Sequence, residues 1–223
     1  MRIAGITPRG NIMGAQSAVI VTTSLYQAAL SFSALKDIRY YLNGVYIEAA
    51  PDGDGNLLVA TDGHCLAVIR DREQAPIASP VILPTVKIQA ADRKPGRLLT
   101  FDGATCRTDS GVSMPAPYVD GRFPDFRMVV PRDVGKAGEM KVSAFNPDFL
   151  ARLDSLRGAF QHTNPKHFAA CIHYSRLSES TALVTFNSGV DAFVVMMPVR
   201  GNIATPSDIT SWIDRTPASA IAA

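Results

Sequence analysis

Residues 37 to 71 read D-I-R-Y-Y-L-N-G-V-Y-I-E-A-A-P-D-G-D-G-N-L-L-V-A-T-D-G-H-C-L-A-V-I-R-D. Two runs rich in β-branched, aromatic and aliphatic residues flank a break of Gly and Asp, and the second run turns sharply at Thr61-Asp62-Gly63-His64. An Asp-Gly pair between alternating apolar residues is a hairpin signal, because glycine accepts the positive φ a tight turn requires. The stretch therefore predicts antiparallel strands at 39–49, 57–61 and 66–70.

Upstream, Ala18-Val19-Ile20-Val21 reads as a short strand. Thr22, Thr23 and Ser24 offer an N-cap, and Leu25, Ala28, Ala29, Phe32 and Leu35 then recur at helical spacing, predicting a helix over 24–35. The order is β-α-β-β-β, and it recurs. Val81-Ile82-Leu83 predicts a strand, Pro84 starts a short helix through Ala91, and strands follow at 98–101, 106–108 and 112–118. A third round opens with a strand at 140–145. Asn146 is then an N-cap, Pro147 the first helical residue, and Phe149, Leu150, Leu153 and Leu156 one apolar face up to Gly158. Strands at 167–174, 182–186 and 193–199 complete it. L-L-V-A-T-D-G at 57–63, L-L-T-F-D-G at 98–103 and L-V-T-F-N-S-G at 183–189 each place an apolar strand before a tight turn, which supports an internal repeat. The fold class is α+β.

The 223 residues can bury a sizeable core, and 47% hydrophobic with 19% charged residues describes an ordinary globular chain. No apolar run approaches the roughly 18 residues that span a bilayer, and residues 1–16 lack the continuous apolar stretch of a secretory signal. Three cysteines, Cys65, Cys106 and Cys171, without C-x-x-C spacing, argue against a disulfide framework or a zinc knuckle and for a reducing cytoplasm. A net charge of +2 permits a nucleic-acid partner on a local basic surface without demanding one.

Enzyme signatures are sparse. Asp62, His64 and Cys65 invite a thiolate mechanism, but adjacent residues of an extended segment point to opposite faces, so His64 and Cys65 would not meet. G-x-x-x-x-G-K-[ST], H-E-x-x-H and G-x-S-x-G are absent, and His162, His167 and His173 have no familiar metal spacing. No catalytic residue, metal or cofactor is expected.

Four segments carry a family resemblance: R-Y-Y-L-N-G with A-T-D-G-H in the opening stretch, D-G-R-F-P-D-F-R-M-V-V-P at 120–131, F-N-P-D-F-L-A-R-L-D-S-L at 145–156, and V-V-M-M-P-V-R at 194–200. In this order they resemble the central domain and the last unit of the bacterial DNA polymerase III β subunit, the β sliding clamp. The resemblance implies the DNA-clamp fold, repeated β-α-β-β-β units with helices on one face of antiparallel sheets. It divides the chain into an N-terminal extension (1–17), a two-unit clamp domain (18–133), a half domain (134–200) and a C-terminal tail (201–223). Three units where the family has six suggest a shortened version of the kind a phage or mobile element would carry.

By resemblance the chain is a processivity factor, not an enzyme. It would encircle double-stranded DNA without reading sequence and tether a DNA polymerase and other clamp-binding proteins, with a clamp loader as a possible further partner. Family rings close at twelve units, so three per chain imply a homotetramer, in which a neighbour covers the open sheet edge of the odd unit. Phosphate contact suits Lys36, Lys87, Arg93, Lys94, Arg152 and Arg157, on or near the three helices, although the first helix carries no base. The family's peptide-binding pocket maps onto Thr61, Gly63, His64, Leu66, Pro131, Met197, Pro198, Val199 and Arg200. Cys65 stands where the family has Arg, and a tail bearing Ile209, Trp212 and Ile213 could lie over the pocket. The alternative reading is a clamp-derived protein that binds clamp-binding peptides without encircling DNA; a Cys65 hydrolase is the third.

Overall fold

The computed structural model describes residues 18–134, 144–160, 168–174, 181–187 and 189–199. The N-terminal extension, the strand expected at 140–145 apart from its last two residues, His162, His167, Arg200 and the tail lie outside them.

Two antiparallel sheets form the framework. One has the order β1-β6-β7-β8 and the other β5-β2-β3-β4-β11-β10-β9. The opening stretch supplies β2 (Gly44–Ala49), β3 (Asn56–Thr61) and β4 (Cys65–Asp71). β5 (Val81–Pro84) flanks β2, while β1 (Val19–Thr22) crosses to the other sheet and pairs with β6 (Leu98–Phe101), followed by β7 (Thr105–Thr108) and β8 (Ser113–Pro115). The first strands of the first two rounds have thus exchanged sheets, which locks those rounds together. β9 (Ala170–Tyr174), β10 (Ala182–Phe186) and β11 (Ala192–Met196) extend the larger sheet through β11, where Val194 faces Ala67 and Met196 faces Cys65.

The period-2 pattern of β4 and β11 gives this sheet two buried faces. Cys65, Ala67, Ile69, Val194 and Met196 join a core that includes Leu25, Tyr26, Ala28 and Ala29 of α1 (Thr23–Leu30) and Leu153 and Leu156 of α2 (Pro147–Ala159). Leu66, Val68 and Val195 face the other way, against Leu42, Phe123 and Phe126. Each large side chain so buried contributes roughly 1.5–3 kcal/mol. α1 and α2 lie side by side, with Ser31 Oγ and Ser155 Oγ 2.9 Å apart and Ser24 Oγ donating to the Ala159 carbonyl.

Buried polar groups tie the ends together. Asp71, fully buried at the end of β4, accepts from Thr22 N at 2.8 Å and Thr22 Oγ1 at 3.1 Å, so it holds the residue that opens α1. Asn56 donates to the Ala75 carbonyl and accepts from Ile77 N, both at 2.9 Å, which pins the strap after β4.

The structure corrects several expected boundaries. α1 ends at Leu30, not Leu35, because the Ser31 and Ser33 hydroxyls turn back on the carbonyls of Ala28 and Leu30. Leu35 and Ile38 are consequently exposed. Residues 40–42 form a 3-10 turn, so β2 starts only at Gly44. The second round has no α-helix after Pro84: that proline ends β5, Val86 and Ile88 alternate inward along an extended segment, and a 3-10 turn at Ala90–Arg93 is all that remains. The strand expected at 112–118 shrinks to Ser113–Pro115. In α2, Asn146 caps as expected, its side chain accepting from Asp148 N, but Leu150 faces outward at 40% exposure.

Candidate functional site

The Thr61–Cys65 turn is built by one carboxylate. Asp62 Oδ1 accepts from His64 N at 2.9 Å and Cys65 N at 2.8 Å, and Thr61 Oγ1 accepts from Gly63 N at 3.0 Å. Gly63 takes φ +93, a conformation other residues rarely adopt. The chain leaving β11 is tied to the turn where Met197 N donates to the His64 carbonyl at 2.9 Å.

Around this turn lies an apolar depression of about 160 Å³, on the sheet face opposite the helices. Leu42, Leu66, Phe123, Phe126, Val195 and Met197 give it apolar walls, and Phe123 is fixed by stacking on Tyr46 with centroids 4.9 Å apart. Arg39 and Asp125 bring charge to the rim. Arg39 pairs with Asp37 through Nε at 3.0 Å and Nη2 at 2.7 Å, and those hydrogen bonds hold the Asp37 carboxyl down at about 2. Apolar walls with a few fixed polar groups suit a short peptide with apolar anchors, and methionine lets the surface adapt.

The structure brings Thr61, Gly63, His64, Leu66 and Met197 together in this depression. Pro131, Pro198 and Val199 are described but do not line it, and Val199 instead bridges to Ala144. Sequence reasoning missed Arg39, Leu42, Phe123, Phe126 and Val129. The signal was present in R-Y-Y-L-N-G and D-G-R-F-P-D-F, but two 3-10 turns decide which side chains point inward. Cys65 is only 1% exposed, and burial pushes its thiol up to about 12, so it is not poised as a nucleophile.

The basic residues divide into two groups. Lys36, Lys87 and Lys94 are exposed and form no salt bridge among the described residues. Arg93 folds onto the Ile88 carbonyl through Nε and Nη2. Arg157 pairs with Asp154 at 2.6 Å one turn away on α2. Arg152 pairs with Asp62 at 2.6 Å and is half-buried. α1 carries no Lys or Arg and therefore presents no basic face, and none of its residues is fully exposed.

No protein-family model matches the chain. It is 36% identical over 124 residues to the β sliding clamp of Haemophilus influenzae, an alignment covering 52% of this chain and 33% of that protein. With the β sliding clamp of Vibrio cholerae it shares 37% identity over 132 residues, covering 52% and 35%. The chain thus spans about a third of the length of the curated relatives it matches. Among solved structures, the DNA polymerase III subunit β of Pseudomonas aeruginosa superposes with a TM-score of 0.58 at 22% identity, over 85% of this chain and 68% of that one. The C. crescentus β sliding clamp gives 0.58 at 23% identity, over 89% and 69%. The α+β architecture is therefore the fold of these clamps, and half of the chain is related to them in sequence.

Proposed function

We propose, from the premise that this chain is a relative of the bacterial β sliding clamps, that it is a DNA sliding clamp, a non-enzymatic processivity factor tethering a DNA polymerase and other peptide-bearing proteins to duplex DNA. One observation carries the reading: the sheet through β4 and β11 has helices on one face and an apolar pocket on the other. A tether needs two such separated surfaces. Sequence-blind contact would come from Lys36, Lys87 and Lys94, which form no salt bridge among the described residues, and the salt dependence of phosphate contact makes it weak and remakeable. On this reading residues 18–133 are a clamp domain and 134–200 a half domain. Among the described residues β9 ends the larger sheet, and on this reading a neighbouring copy would cover that edge and the partly buried Phe168, Ile172 and Phe186 of the third round. Four chains of three units each would close the ring in the cytoplasm, loaded by a dedicated opener.

The test is retention on closed circular DNA with loss on linearisation, combined with light scattering. A ring predicts a mass near four times 23.9 kDa, and a mass of one or two chains refutes it. A second reading is favoured by the buried α1 and by the pairing of Arg152 and Arg157 with carboxylates: a clamp-derived protein that binds the same peptides without encircling DNA. Peptide binding with no topological retention would select it.

A further inference from the structure

We propose that Arg152, on helix α2, is a positioning residue of the apolar pocket, acting through Asp62 from the opposite side of the sheet; this rests on reading the pocket as a peptide site. Asp62 is the organising group of the Thr61–Cys65 turn. One of its oxygens is spent on the amides of His64 and Cys65, and the other accepts from Arg152 Nη1 at 2.6 Å. Three N–H donors on one half-buried carboxylate form a charge-assisted cluster, unlike a solvated surface pair. Burial alone would push the Asp62 carboxyl up, yet these bonds hold it below its ordinary value.

Phe149 completes the brace. The Arg152 guanidinium carbon lies 5.1 Å from its ring centroid, and the His64 ring stacks on it with centroids 6.3 Å apart. Two residues of α2, one turn apart, therefore grip the turn from behind while Thr61, Gly63 and His64 line the pocket in front. Met197 follows, because its amide hangs on the His64 carbonyl. Losing Arg152 frees one Asp62 oxygen, so the carboxylate can rotate and release the amides that set the turn. A phosphate role for Arg152 would require breaking the same pair.

The test compares wild type with Arg152→Gln, Arg152→Lys, Asp62→Asn and the Arg152→Gln/Asp62→Asn double variant, with Asp154→Asn as a surface control on the same helix. The probe is a fluorescein-labelled hexapeptide with leucine and phenylalanine as its apolar anchors, read by anisotropy. Arg152→Gln is expected to weaken binding on the order of tenfold, the size of one charge-assisted hydrogen bond. Arg152→Lys should restore part of the loss, and the double variant should bind no worse than the weaker single one. Without any peptide, the amide signals of Gly63 and His64 and the Met197 methyl signal should shift in Arg152→Gln and not in Asp154→Asn. If the hexapeptide fails to bind wild type, the peptide-site reading fails, and these NMR signals alone decide the positioning role. Unmoved signals overturn the proposal. So does intact peptide affinity with a DNA salt slope lowered by about 1, which makes Arg152 a phosphate contact.

Discussion

Gly63→Ala perturbs the turn and the rim of the pocket at once, and its cost can be worked from two local facts. At φ +93 an alanine occupies the left-handed region, which costs about 1–2 kcal/mol. Its Cβ would lie 3.2 Å from Arg39 Nη2 and 3.5 Å from Nη1, the far end of a flexible side chain that can give by a few tenths of an ångström. The steric contribution is therefore small, and the expected destabilisation is about 1–2 kcal/mol in urea unfolding. Gly55→Ala is the contrast. It also has positive φ, but its Cβ would meet the Asp71 carbonyl oxygen at 2.1 Å and Arg72 Cα at 2.8 Å, backbone atoms at the end of the β3–β4 ladder. Overpacking then adds about 1–3 kcal/mol to the conformational cost, giving roughly 2–5 kcal/mol in total. Only Gly63→Ala should also weaken hexapeptide binding severalfold, because it displaces Arg39. Equal stability losses for the two variants, or unchanged binding in Gly63→Ala, would refute the reasoning.

Four further outcomes are expected. Leu156→Ala, at a fully buried position where α2 meets the core, should cost about 2–5 kcal/mol by urea unfolding. Burial raises the Asp71 carboxyl above its unfolded value, so the stability it contributes is complete below about pH 3.9 and is lost as pH rises through the raised value. The stability gap between wild type and Asp71→Ala should accordingly be wider at pH 4 than at pH 7. Iodoacetamide at pH 8 should label the exposed Cys171 and spare Cys65 and Cys106, which burial pushes up to about 12 and about 11; mass spectrometry reads the sites. Finally, the Lys36→Ala/Lys87→Ala/Lys94→Ala variant should flatten the salt dependence of duplex DNA affinity by about 0.9 for each phosphate the protein ceases to neutralise, with peptide affinity intact.

Long, regular segments were the most legible. The β3–β4 hairpin followed from apolar runs around Asp-Gly, and α2 followed from Asn146-Pro147 and its apolar spacing, because local propensity and packing agree there. The short elements were not legible. Residues 84 to 91 read as a helix, but inward-facing Val86 and Ile88 draw that segment into extended packing. Leu35 sits at helical spacing with Phe32, yet two serine hydroxyls end α1 before reaching it. In the pocket, the contributions of the T-D-G-H turn and Met197 were legible from resemblance. Phe126 and Leu42 were not, since a 3-10 turn alters which side chain points inward without altering the sequence pattern.

By itself, then, the chain's sequence determined strand identity, the Asp-Gly turn and the capped helix, each set by neighbours a few residues away. Tertiary structure alone decided three things: the exchange of β1 and β5 between sheets, the joining of β4 to β11, and the capture of Arg152 by Asp62. The ion pair spans 90 residues of chain. Its partners carry no local signature, because a guanidinium that contacts phosphate and one that braces a turn are the same residue until packing places a carboxylate beside it.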